Sequence, residues 1–201
     1  VSIAAVDVAN TALALLGIPG ISSLSDDNAK ARAMSRSYDI QRRAELRAHL
    51  WSFAMARTTT PASSTVPAFD FAAQYAFPTD ALRIVQAGDW YPGEISVDYS
   101  NATNADYRLE GRFILSNVVG APLKVRYVSD VTDPNLLDPL FVVAFAARLA
   151  SATCLLLTES NVKKKDISDD YKMAITQAVQ VNAVEKTPEQ LPDNSWMIAR
   201  L

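Results

Sequence analysis

DPLFVVAFAARLASATCLLLTES, residues 138–160, is the stretch on which the reading of the whole chain turns. Between Pro139 and Leu157 it carries a single charge, Arg148, so length and composition alone admit a membrane span. Arg148 lies near the middle, where inserting an arginine costs roughly 3 kcal/mol, and no second span flanks it. A buried core helix is the better reading. Asp138 is placed to cap it, and Pro139 suits its first position. Ala144, Ala147, Ser151 and Cys154 recur at steps of three, four and three. They make a flat face that another backbone can approach closely, from the same chain or from a neighbour. Arg148, beside that face, needs an acidic partner.

Toward the C-terminus, Ser160 is placed to cap a last helix, in which Ile167, Tyr171, Ala174, Ala178 and Val181 repeat at helical spacing. The two helices should form a hairpin. From Thr187 the text TPEQLPDNSWMIARL has two prolines and no helical period, which predicts an extended C-terminal arm over 187–201. Trp196, Met197 and Ile198 would be unfavourable in water and make this a candidate docking arm; a tail folded onto its own domain accounts for them equally.

Toward the N-terminus, residues 69–129 change to short alternating or β-branched runs: FDFAAQYAF, ALRIVQAG, EISVDYS, DYRLEGRFIL and PLKVRYVSD. These predict an antiparallel sheet of about five strands, with Glu110-Gly111 as the tight turn of a hairpin. TTTPASSTVP, residues 58–67, has the composition of a linker. Before it, a long helix is expected from Asp26, capped by Ser25, to about Arg57, with Met34, Tyr38, Ala44, Ala48, Trp51 and Met55 as its apolar seam. Arg32, Arg36, Arg43 and Arg47 form a basic stripe on that helix. It reads either as a solvated face tempered by Asp39 and Glu45 or as a contact with an acidic neighbouring subunit. Val6, Ala9, Leu13 and Leu16 mark a first helix, stopped by Gly17 and Pro19. The predicted fold class is α+β. A bundle of about four helices is built from residues 1–67 and 130–186, with an antiparallel β-domain, 68–129, inserted between the second and third long helices.

Composition narrows the chemistry. Of 201 residues, 19 are Lys or Arg and 22 Asp or Glu, a net charge of −3 that argues against broad non-specific binding to nucleic acid. One Cys and one His exclude an intrachain disulfide and a Cys/His zinc site. No phosphate-binding glycine loop, dinucleotide fingerprint, zinc-protease helix or nucleophile elbow is present. His49 reads as a packed or solvated helix residue and Cys154 as an inert apolar one. Trp90, Tyr91, Tyr99 and Tyr107 read as sheet packing rather than base stacking. No catalytic, cofactor-binding or metal-ligating residue is expected, and no cofactor. The first residues, VSIAAVDVANTALALLG, lack a basic leader and are interrupted by Asp7 and Asn10, so the reading is intracellular.

Five segments in order resemble the tail tubular protein A family, the head-to-tail adaptors of short-tailed phages and related prophages. They are VDVANTALALLGIPGISSL, ELRAHLWSFAMART, YRLEGRFILSN, KVRYVSDVTDPNLLDPLFVVAFAARLASATCLLLTES and DDYKMAITQAVQVNAVEK, and together they span residues 3 to about 186. The resemblance implies a helical bundle with an inserted or appended β-domain. It also implies assembly into a dodecameric ring between portal protein and tail nozzle protein, DNA passing through its channel, and no catalytic residue. The location implied is the virion, with the host cytoplasm before assembly. An acidic balance suits a conduit along which DNA slides. The candidate subunit interface is Arg36, Arg43, Arg47, Ala144, Ala147, Arg148 and Ser151. The alternatives are a nucleic-acid-binding module that uses the basic stripe, and a small enzyme with scattered carboxylates.

Overall fold

The computed structural model describes residues 2–88, 107–119 and 122–185. The described residues divide into two compact units, 2–55 with 128–185 and those of 56–127. The architecture is α+β: among the described residues there are four α-helices and two small antiparallel sheets, the strands falling between the second and third helices in sequence.

In the first unit, α1 (Ala5–Leu15) buries Val8, Ala9, Ala12 and Leu13, while Asp7 reaches back to accept from the Ala4 amide at 2.8 Å. Asn10 pins the following loop by accepting from the Ile21 amide at 2.8 Å and donating to its carbonyl at 3.0 Å. The second helix, α2 (Ala29–Ala48), is shorter than the 26–57 span read from sequence. Asn28 and not Ser25 caps it, its side chain accepting from the Ala31 amide at 2.8 Å; Ser25 instead bonds the Ser23 hydroxyl at 2.8 Å. The helix ends where His49 turns extended, and Trp51 and Met55, expected on the helical seam, lie beyond it. Trp51 folds back to donate its indole N–H to the Glu45 carbonyl at 3.1 Å, which satisfies one of the carbonyls that a helix end leaves open.

The central element is α3 (Pro139–Thr158), capped by Asp138, which accepts from the Leu140 and Phe141 amides at 2.8 and 3.1 Å. It is the one helix among the described residues long and apolar enough to cross a membrane. Here it packs against α1, α2 and the last helix, α4 (Asn161–Val184). Phe141, Phe145 and Leu149 are fully buried, each worth about 1.5–3 kcal/mol by transfer from water. Phe141 meets Trp51 edge-on at 5.0 Å, and Phe145 meets Tyr38 edge-on at 5.1 Å. Glu159, at φ 53°, turns the chain from α3 into α4, and Ser160 caps α4 through the Lys163 amide. The expected hairpin forms. Lys163 then donates to the Leu16 carbonyl at 2.8 Å, tying α4 to the end of α1.

In the second unit, strands β1 (Met55–Thr60), β6 (Leu123–Ser129) and β3 (Ala81–Ala87) form one sheet, ordered β1-β6-β3. Strands β2 (Ala73–Ala76), β5 (Phe113–Ser116) and β4 (Tyr107–Glu110) form the other, ordered β2-β5-β4. Two three-stranded sheets therefore replace the expected single one. Tyr75, Ile84, Ile114, Leu123 and Val125 make the core of this unit. The hairpin β4–β5 pairs Glu110 with Phe113, so its turn is Gly111-Arg112, one residue later than expected, with Gly111 at φ 57°. The predicted linker is partly strand: Thr58–Thr60 close β1, Ala62 bridges Tyr75, and the Ser63 amide donates to Gln74 at 2.8 Å. Residues 56–67, read with the helices, group with the strands. The expected strand EISVDYS and the aromatics Trp90, Tyr91 and Tyr99 lie outside the described residues, as does the arm 187–201 with Trp196, Met197 and Ile198.

Candidate interaction surface

Helix α2 has two polar faces of opposite kind. On the inner one, Met34, Tyr38, Arg42 and Glu45 follow at steps of four, four and three and are all buried. Glu45 is fully buried, contrary to its reading as a charge on a solvated face. It ion-pairs with Arg148 of α3 and accepts from the Tyr171 hydroxyl of α4 at 2.9 Å. Arg148 also donates to Gln41 at 2.8 Å and to Tyr171 at 3.2 Å, with its guanidinium 5.8 Å from the Tyr171 ring centre. One carboxylate thus links three helices, and the acidic partner that Arg148 requires is Glu45. Burial opposes the charge on Arg148, but the hydrogen bond and charge of Glu45 outweigh it and raise its pKa. Burial and the Glu45 charge both push the Tyr171 phenol up.

Arg42, also buried, donates to Asp130 at 2.6 Å, to the Val131 carbonyl and to Asp39 at 3.2 Å. Arg43 shares Asp130 at 3.2 Å. A carboxylate with two arginines therefore fastens α2 to the segment that enters α3. Tyr38, above it, has no hydrogen-bond partner for its hydroxyl among the described residues. Burial pushes its phenol up to about 12, the Arg42 charge pulling it down and Asp39 pushing it up.

The outer face of α2 carries Arg32, Arg36, Ile40, Arg43 and Arg47, all exposed. Arg32 pairs with exposed Asp27 at 2.5 Å, a contact of little energetic weight. The expected interface residues thus separate into two groups. Arg36, Arg43 and Arg47 are accessible. Ala144 and Ala147 are buried among the helices of their own chain and Arg148 is held by Glu45, so the small-residue face of α3 is already covered, with Ser151 half-buried beside it. Of the two partners the spacing leaves open for the small residues of α3, Ala144 and Ala147 meet one within their own chain.

Arg42, Glu45, Gln41, Asp130 and Asn182 were missed by sequence reasoning. For Arg42 and Glu45 a signal existed, since both continue the Met34–Tyr38 spacing; following apolarity alone led the seam to Ala44 instead. Asn182 accepts from the Ser52 amide at 2.8 Å and donates to the Leu50 carbonyl at 3.0 Å, fastening α4 to the chain after α2; nothing local marks it for that task. His49 is half-buried and edge-on to Trp51 at 5.6 Å, and Cys154 is buried. No family model and no curated protein matches this chain.

Proposed function

We propose that this chain is a structural virion protein, a head-to-tail adaptor that assembles as a dodecameric ring between portal and tail nozzle. DNA passes through its channel, and no residue is catalytic. The protein resides in the host cytoplasm before assembly and in the connector afterwards. The observation that carries this reading is the order of the five quoted segments across residues 3–186. The geometry favours it in one respect: the inner face of α2 is locked by Glu45 and Arg42, while on the outer face Arg32, Arg36, Ile40, Arg43 and Arg47 stay exposed, Arg43 with one contact to Asp130.

Negative-stain imaging of the purified protein mixed with the portal protein encoded beside it tests the reading. Rings seated on the portal are expected. Their absence at every ratio overturns it. The same stripe supports a second reading, a nucleic-acid-binding module, because four arginines on one helix face can neutralise phosphates. Salt-dependent binding of a short DNA duplex by the monomer, weakened by Arg43→Glu, would favour that reading. No binding at low salt removes it.

A further inference from the structure

Helix α4 has an outward face of its own. Val162, Asp166, Asp169, Met173 and Val184 lie on one stripe, since their spacings of four, three, four and eleven each return to nearly the same angle of a helix. All are exposed; Val162, Met173 and Val184 keep 74%, 66% and 86% of their surface in contact with solvent. The opposite side of the helix is already packed, so this face is the one α4 leaves open to a partner. Asp169 pairs with exposed Lys172 at 2.8 Å and also feels the charge of Lys165, both on its own helix. The stripe on α2 is its counterpart: basic where this one is acidic, with Ile40 at 67% exposure standing among arginines as Met173 stands among carboxylates.

The two stripes cannot meet within one chain. Glu45 and Tyr171 are hydrogen-bonded to each other across the inner faces of α2 and α4, half a turn round each helix from the stripes, which therefore point away from their shared core. We propose that the α2 stripe of one copy docks on the α4 stripe of the next, Ile40 against Met173, with arginines of the first facing Asp166 and Asp169 of the second. The contact is heterologous. Each copy gives one of its two stripes to the contact, so a bound pair still presents a free stripe at each end, the requirement for a ring rather than a closed pair. Complementary charge sets partner and register, and burial of Ile40 against Met173 adds affinity. This inference rests on the ring-forming reading above and names the surfaces by which neighbours would meet.

The test uses two single variants of the full chain, Ile40→Cys and Met173→Cys, each changing an exposed side chain and leaving buried Cys154 as the only other thiol. Concentrated protein is treated with a short bis-maleimide. An equal mixture of the two variants is expected to yield a crosslinked dimer, and either variant alone is not. Reversing the acids with Asp166→Lys and Asp169→Lys in the Met173→Cys chain should cut the yield by about tenfold or more. Adding Arg32→Glu and Arg36→Glu, which leave the Arg42–Asp130–Arg43 clamp intact, to the Ile40→Cys chain should restore it. A dimer from Ile40→Cys alone or no product from the mixture overturns the proposal. Rings on the portal without this crosslink sink the docking surfaces and spare the adaptor reading; the crosslink without rings does the reverse.

Discussion

At the scale of single residues, Glu45 is the most consequential side chain. Removing it leaves Arg148 partly buried without its carboxylate and Tyr171 without its acceptor, so Glu45→Ala is expected to cost about 3–5 kcal/mol. Replacing both partners, Glu45→Met with Arg148→Met, should recover most of that loss, because the desolvation of two charges disappears along with their attraction. Urea unfolding of the two single variants and the double variant reads this directly. A double variant as unstable as the sum of its singles would refute it. Tyr38 supplies a pH test. Its phenol has a pKa near 12 in the folded chain against about 10 unfolded, so between those values the folded state holds the extra proton. Stability is then whole below pH 10 and falls as pH rises toward 12, by at most about 1.4 kcal/mol per unit from this group. Tyr38→Phe should flatten that slope. Because the hydroxyl is buried without a partner, the change should cost nothing at neutral pH and can gain up to about 1 kcal/mol. Thermal melts at pH 8 and pH 11 compare the two proteins.

At the scale of elements, what was legible depended on whether a residue announces its task locally. Asp138-Pro139 and Ser160 did, since a capping side chain next to the first helical turn carries its own partner amides, and both caps are as read. For α2 the local signal was ambiguous: Ser25, Asp26, Asp27 and Asn28 are all capping residues, and only the Asn28 side chain meets an amide of the first turn. Asn28→Ala is therefore expected to lower stability by about 1 kcal/mol, and Ser25→Ala to change it by less than about half of that, as measured by urea unfolding. The reverse ranking would move the start of α2. Its end was illegible for a different reason. LWSFAMA is apolar enough to continue a helix, and the contacts that hold it elsewhere, Trp51 with Phe141 and the Glu45 carbonyl and Leu50 and Ser52 with Asn182, are tertiary. Strand pairing was equally hidden, because alternation in 69–129 marks strands but does not say that β6 sits between β1 and β3 while β5 sits between β2 and β4. Of the candidate surface, the arginine stripe was legible from spacing alone. That the small face of α3 is covered by its own chain was not, since a close-packing face looks the same whichever backbone fills it.

At the scale of the whole molecule, the chain leaves the helical unit at residue 55 and re-enters it at 128. Those two points are adjacent: the Ser129 hydroxyl donates to the Ala54 carbonyl at 3.0 Å, and β1 and β6, which begin and end there, are neighbours in one sheet. Neighbouring strands lie about 4.8 Å apart, so a link of two to four glycines and serines can join Ala56 to Tyr127 without strain. Every contact argued above to hold the helices, from Asp138 and Asn182 to the Glu45–Arg148–Tyr171 cluster, lies within residues 2–55 and 128–185. A chain with 57–126 replaced by such a link should therefore keep its helical circular dichroism and unfold cooperatively. Within that shortened chain Glu45→Ala should still be strongly destabilising, which ties the surviving helix to the native packing rather than to a collapsed state. A shortened chain that melts without a transition would mean that the strands stabilise the helices through contacts other than these. If instead it folds, the docking stripes of α2 and α4 both remain on it, and the Ile40–Met173 crosslink between copies becomes a test of assembly with the β-unit removed.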